Sequence, residues 1–364
     1  MDRSFIIDTK RVVLKFGTNS MLFLKDNPKS INKIASSIAS IKERGYEITI
    51  VASGAIGLAM QDLGLKSKPT SKPKKQALAA YGQSLLVETW KKAFLPFNTK
   101  VAQVLLTYDV MENRERFVSA KACFATLKNY GFLPIVNEND TIRCDEIDFG
   151  DNDNLSVFTS LLVDAKLVVL FTDTNGVFNT NPHHNKNAVR IPIIERVDQR
   201  VFSLVQEKFS PFSTGGMAAK LASCNLASSA GIGVVITKIA ESKIESILGG
   251  DDVGTYIVPQ KSKLKDRKKW LFINKKIKGR VVVDDGAKDA IVGSNKSLLS
   301  SGVLRVENEF SSLCIVGVAD KDGQLFARGI TLFSNDQLQR LIQENKSIPK
   351  HSKVVIDRNN LVLV

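Results

Sequence analysis

Residues 11–54 read RVVLKFGTNSMLFLKDNPKSINKIASSIASIKERGYEITIVASG. They open with a short β-branched run, residues 11–16, that stops at Gly17. Residues 31–43 then carry apolar side chains at helical spacing, and a second apolar run, 47–52, ends in Ser53 and Gly54. Strand, helix and strand in that order make a parallel βαβ unit. The rhythm continues with helices expected at 73–94, 114–130, 153–164 and 217–230. Strands are expected between them at 101–107, 132–136, 167–172 and 233–236. These strands are apolar throughout, as they must be when helices cover both faces of a sheet. The expected fold is α/β: a mostly parallel open sheet with helices on both faces. Such sheets bind ligands at the carboxyl ends of their strands.

The rhythm changes after about residue 258. Residues 261–269 form a charged, linker-like run. Beyond residue 278 the pattern is short strands at 280–283, 302–306, 313–319 and 325–330. Asp285-Gly286 and Asp322-Gly323 read as turns between them. The expected division is a catalytic domain over 1–260, a linker over 261–277 and a small, mostly β domain over 278–364.

The 364 residues are 43% hydrophobic and 24% charged, ordinary for a globular protein with a sizeable core. No run approaches the roughly 18 apolar residues of a membrane span, and no signal-peptide pattern opens the chain. Cys123, Cys144, Cys224 and Cys314 are far apart, form no CxxC pair and match no zinc spacing. Free thiols in a reducing cytoplasm are the expectation. The net charge is +14, and residues 261–364 hold 20 Lys and Arg against 11 Asp and Glu. A basic excess suits anionic partners such as nucleotides, acidic metabolites or nucleic acid, and it also serves plain solubility.

Several expected strand ends carry small or polar residues. Lys15 and Gly17 close the first strand in LKFGTNS, where the lysine is either a solvated edge charge or a crevice ligand. IVASGAIG closes the second and turns into a helix whose N–H groups suit an anion or serve tight packing. STGGMAAK, residues 213–220, opens a further helix with two glycines and a lysine one turn in, a cradle for phosphates or a flexible connection. The chain contains neither GxxxxGK[ST] nor GxGxxG. Thr172-Asp173 ends the fifth strand. Residues 134–154, PIVNENDTIRCDEIDFGDNDN, pack seven carboxylates among four asparagines after an apolar strand. Acceptors and amides together suit an amino acid, and a solvated turn with side-chain caps is the other reading.

In order, LKFGTNS, VASGAIG, AAYGQSLL, NRERF, PIVNENDT, FGDNDNLS, LFTDTNGVF and STGGMAAKL resemble the amino acid kinase family over nearly the whole chain. The resemblance is closest to the members that phosphorylate the side-chain carboxylate of glutamate. The C-terminal module resembles a PUA domain. The resemblance implies that Lys15 and Lys220 contact the transferring phosphoryl group and that Asp153 orders them. It implies that Ser53, Asp140 and Asn152 bind L-glutamate. ATP would be bound by Lys15, Thr172, Asp173, Thr214, Gly215, Gly216, Met217, Ala218, Ala219 and Lys220. Mg²⁺ is implied as a cofactor, with its protein ligands unknown. Proline as feedback inhibitor, a homo-oligomer (dimer or tetramer) and glutamyl phosphate reductase as a partner are implied as well. The chain departs from the usual family pattern at Ala52, Ser213 and Ala219.

The residues suit that chemistry. A carboxylate nucleophile has an ordinary pKa of about 4.3 and needs no general base. His183, His184 and His351 lie outside every motif quoted, which would be a fault in a hydrolase triad and is none here. Competing substrates within the family are acetylglutamate and aspartate. RNA binding by the basic C-terminal region is the alternative of a different class, with few aromatics there to stack bases. No membrane role is expected. Asp145, Glu146 and Asp148 have no assigned partner.

Overall fold

A computed structural model describes residues 3–142, 152–182, 185–205, 216–239, 243–261, 271, 277–347 and 352–363. The expectations for Asp145, Glu146, Asp148, Thr214, Gly215 and the three histidines lie outside the described residues. The chain divides into two compact units. One comprises Met1–Tyr108 with Val118–Ser262, and the other Asp109–Phe117 with Lys263–Val364.

The first unit opens with α1 (Ser4–Ile7), β1 (Arg11–Phe16), α2 (Thr18–Asp26), α3 (Pro28–Glu43) and β2 (Glu47–Ala52). Next come α4 (Ala55–Asp62), α5 (Lys72–Phe94) and β3 (Val101–Leu106). α6 (Asp109–Glu112) and the first residues of α7 (Arg114–Asn129) fall in the second unit. The first unit resumes through β4 (Leu133–Glu138), α8 (Asn152–Leu162), β5 (Leu167–Thr172), β6 (Ile193–Ile194) and α9 (Gln199–Val205). It closes with α10 (Met217–Ser229), β7 (Gly233–Lys238), α11 (Ile244–Leu248) and β8 (Thr255–Ile257).

One eight-stranded sheet runs in the order β3-β4-β2-β1-β5-β7-β8-β6. Its pairings are parallel except β7 with β8. The expectation of a mostly parallel sheet with helices is thus met. β1 and β5 lie at its centre and are almost wholly buried, which is why they read as unbroken apolar runs. Alternate residues of β1 serve different faces. Val12, Leu14 and Phe16 enter a core with Trp90, Phe94 and Phe171, the Phe16 ring lying 5.1 Å from Trp90 and 4.8 Å from Phe171. Val13 and Lys15 serve the other face, where α8 packs on the sheet.

The antiparallel β8 was not foreseen. It depends on Arg3, a buried arginine at the start of the chain. Its guanidinium donates to the carbonyls of Asp251, Val253, Pro192 and Gly254 and pairs with Asp252 at 3.0 Å. One planar fork so gathers the loops that bring β8 and β6 onto the sheet edge.

The second unit holds the sheet β11-β9-β12-β13-β15 and the pair β10-β14. These are β9 (Gly279–Val283), β10 (Leu298–Leu299), β11 (Val303–Glu307), β12 (Ile315–Ala319), β13 (Leu325–Ile330), β14 (Val354–Ile356) and β15 (Leu361–Leu363). It is mostly β, as expected, with two corrections. Asp285-Gly286 is not a turn: it lies in the first turn of a helix, Asp285–Ser294. Asp284 is the N-cap, its carboxylate accepting from the Ala287 N–H at 2.7 Å. A second helix, Asn335–Ser347, was also missed. Asp322-Gly323 is a turn, with Gly323 at a φ of 82°.

Gly82 fixes how α5 meets α4. A Cβ there would sit 1.8 Å from the Ala55 carbonyl oxygen, inside the first turn of α4. Alanine in place of a helical glycine ordinarily stabilises by about 1 kcal/mol. At Gly82 the sign reverses, because the two helices must part. Gly82→Ala is expected to destabilise the protein by about 3 kcal/mol in denaturant unfolding. Equal or higher stability would show that α4 and α5 are free to move apart.

Candidate active site

The carboxyl ends of β1, β2, β4, β5 and β7 line up along one edge of the sheet. At β1, Gly17 leaves the strand in extended conformation and starts α2, its carbonyl accepting from the Met21 N–H. At β2, the Ser53 N–H donates to the Phe16 carbonyl at 2.9 Å, and Gly54 then turns the chain into α4 with a φ of 103°. A non-glycine residue is strained at that angle. Two strand ends are so tied together, with Lys15 on one and Ser53 on the other.

Three charged side chains converge beneath this edge. Asp153, in the first turn of α8, has 0% exposure. Its Oδ1 lies 2.6 Å from Lys15 Nζ, and its Oδ2 lies 2.6 Å from Lys220 Nζ on α10. Both lysines are buried too. One turn beyond Lys220, Ser223 donates to Asn154 Oδ1 at 2.8 Å and fastens α10 to α8. Burial alone would raise the Asp153 pKa. The two ammonium groups, by charge and by hydrogen bonding, outweigh it and hold the group at about 2. The carboxylate therefore stays ionised. Among these three side chains two cations face one anion, in a place with little water to screen them. Nearby Cys224 is buried, and burial with the Asp153 charge pushes its thiol up, so it stays neutral.

Beside the charged cluster runs a chain of neutral amides. Asn152 Nδ2 donates to Ser53 Oγ at 2.6 Å and to Asn137 Oδ1 at 2.9 Å. Asn137 Nδ2 in turn donates to Gln83 Oε1 at 2.8 Å. Ser53 and Asn152, both expected to bind substrate, are thus brought together. Asp140 lies half-buried in the turn after β4, two residues past the strand that carries Asn137. The sequence places residues 137–140 at the same crevice as a segment, without a separate role for Asn137, and gives Gln83 no role. The signal for Gln83 was a polar side chain among the buried residues of α5, next to Gly82.

At the next strand end, Thr172 ends β5 and its hydroxyl donates to the Asp173 carboxylate at 2.9 Å, near solvent. Gly216 is the extended N-cap of α10, and among the described residues no side chain caps that helix. Met217 and Ala218 are half-buried, and Ala219 is exposed. N–H groups at such a helix start are suited to phosphate oxygens. Among the described residues no three His, Cys, Asp or Glu side chains gather as a metal cage. Asp153, whose two oxygens each meet a lysine, is not placed to serve as one.

The model of the amino acid kinase family matches residues 10–238, and that of the PUA domain matches residues 279–351. A glutamate 5-kinase of Syntrophotalea carbinolica is 35% identical over 372 residues, covering 100% of both chains. A glutamate 5-kinase of Pelobacter propionicus is 37% identical over 376 residues, also covering 100% of both. The same figures hold for a glutamate 5-kinase of Geobacter sulfurreducens.

The Asp153 carboxylate makes a testable link between stability and pH. Its folded pKa lies below the ordinary carboxylate value of about 3.9, so its contribution is complete above that pH and is lost as pH falls toward 2. Asp153→Asn leaves two buried ammonium groups without their anion and is expected to cost about 3–5 kcal/mol at neutral pH. The gap to wild type, measured by denaturant unfolding, should narrow steadily between pH 4 and pH 2. A gap that is constant with pH would contradict the pairing.

Proposed function

The chain belongs to the amino acid kinase family, in its glutamate 5-kinase branch, and on that premise we propose that it transfers the γ-phosphoryl group of ATP to the side-chain carboxylate of glutamate. The product is glutamyl 5-phosphate, formed in the first step of proline biosynthesis. The observation that carries the assignment is full-length similarity to these kinases joined to a buried Lys15–Asp153–Lys220 bridge at the strand ends.

The reaction joins two anions. A glutamate carboxylate oxygen forms a bond to the γ-phosphorus, the bond from that phosphorus to the β–γ bridging oxygen breaks, and ADP leaves with the electron pair. No proton has to move before the attack, since the nucleophile is already ionised. The barrier is electrostatic, and preorganised cations lower it most where charge shifts to the leaving oxygen. Lys15 and Lys220 supply those cations. Asp153 holds both ammonium groups at fixed points and leaves the cluster with a net positive charge for the phosphoryl oxygens. Ser53, Asn152 and Asp140 bind glutamate, the first two acting from the amide chain that Asn137 and Gln83 support. Thr172, Asp173 and the first turn of α10, with Thr214 and Gly215 before it, take ATP. Mg²⁺ would be held chiefly by the ATP phosphates, where it would neutralise charge on the transferring group.

In the same reading, residues 1–260 are the catalytic domain, 261–277 the linker and 278–364 the PUA-like domain. The enzyme works in the cytoplasm as a homo-oligomer. Among the described residues no helix is long and apolar enough to cross a membrane. Proline is its feedback inhibitor, and its labile acyl phosphate product passes to glutamyl phosphate reductase.

Trapping the acyl phosphate with hydroxylamine tests the reaction. Hydroxamate should form with glutamate and ATP, and far less with acetylglutamate or aspartate. Comparable yields from all three acids would overturn the substrate assignment. Lys15→Ala and Lys220→Ala should each lower kcat by about 10²-fold or more, with smaller effects on the glutamate KM. Asp140→Ala and Asn152→Ala should raise the glutamate KM and leave the ATP KM nearly unchanged. Equal changes in both KM values would dissolve the proposed division of the site.

A further inference from the structure

A cavity of about 510 Å³ lies at the end of the sheet opposite Lys15. Arg11 and Glu47, the first residues of β1 and β2, reach it, as do Pro134 at the start of β4 and Leu162 at the end of α8. The other ends of these same elements carry Lys15, Ser53, Asn137 and Asp153. The cavity is therefore separate from the candidate active site, and all of its lining belongs to the first unit. Its volume falls within the roughly 300–1,000 Å³ of small-molecule sites.

Its charges do not balance. Glu47 accepts from Arg11 at 2.9 Å and from Lys128 at 2.8 Å. Asp164 pairs with Lys121 at 2.6 Å and lies 3.8 Å from Arg11. Each carboxylate is thus shared between cations already. Lys42, from α3, is the cation left over. It is half-buried, and its ammonium group donates to the Gly131 carbonyl at a long 3.3 Å. Partial burial lowers its pKa, although the ammonium group still reaches solvent, and no carboxylate among the described residues pairs with it. The lining so carries two positive charges in excess. The rest of the wall is mostly apolar, with buried Ile48 and Phe124 and half-buried Phe132, and it includes the polar Thr49 and Asn129.

We propose that this cavity is a binding site for a small organic carboxylate with an apolar body, its carboxylate on Lys42 and its body against Phe124 and Phe132. The arrangement is that of a ligand pocket, a mostly apolar wall with a few convergent polar groups. A partly buried lysine whose partner is a neutral carbonyl gains more from a carboxylate than a fully exposed one would.

The test uses the full-length protein and 1-naphthoate, followed by titration calorimetry, with neutral 1-naphthamide as its matched control. Wild type should bind 1-naphthoate saturably, and the amide at least about tenfold more weakly. Lys42→Met should weaken 1-naphthoate by at least about tenfold, whereas Lys42→Arg, which keeps the charge, should stay near wild type. Ala125→Trp, placed at an exposed position of the lining, should block binding by filling the space. Cooperative thermal unfolding of each variant verifies that it is folded. Any of three results would overturn the proposal: no saturable binding, equal affinity for acid and amide, or displacement of 1-naphthoate by saturating glutamate.

Discussion

A carboxylate with no exposed surface persists in a protein interior only when cations meet both of its oxygens. Asp153 is held in this way between Lys15 and Lys220, and much of the first unit serves that requirement. β1 must place Lys15 on the face that α8 covers. α8 must start where β4 delivers the chain, with Asp153 in its first turn. α10 must pack on α8, and the Ser223–Asn154 hydrogen bond sets that contact one turn from Lys220. Each element has apolar reasons to sit where it does. The ion cluster adds a stricter condition, because a displaced lysine would leave a bare charge in a low-dielectric interior.

The neutral chain Gln83–Asn137–Asn152–Ser53 follows a different logic. Its members are short side chains whose donors and acceptors face one another, and none has to change charge. Such a network orders polar side chains at the strand ends without the cost of burying ions. Its far end rests on α5, whose contact with α4 depends on the missing side chain at Gly82. α4 begins at the Ser53-Gly54 turn, so helix packing distant from the charged cluster still sets where the Ser53 hydroxyl sits.

The fold was legible where side-chain period and burial agree. β1, β2 and β5 are apolar along their length because helices cover both faces, and the sequence shows this directly. The reading failed where one signal has two meanings. Asp285-Gly286 is a common turn pair, but Asp284 before it is a good N-cap and Ile291 after it supplies the buried side of a helix. β8 and β6 escaped because they are two or three residues long and depend on Arg3, far away in the chain. Gln83 escaped for a related reason: a single buried amide has no periodicity to betray it.

The amino-acid order alone settled the alternation of strands and helices, the placement of glycines and polar residues at strand ends, and the change to short strands after residue 258. These are local properties, fixed by period, steric freedom and composition over a few residues. It also carried motifs sufficient for a family resemblance. Packing decided which of those residues meet. Lys15, Asp153 and Lys220 lie on a strand and two helices separated by long stretches of chain, and only a sheet that sets β1 beneath α8, with α10 against it, brings them within 2.6 Å. The same holds for Lys42, an unremarked lysine in the sequence, which became the unbalanced charge of a cavity once α3, α7 and the starts of three strands closed around it. Charge and burial act through space, so their consequences appear only when the chain is folded.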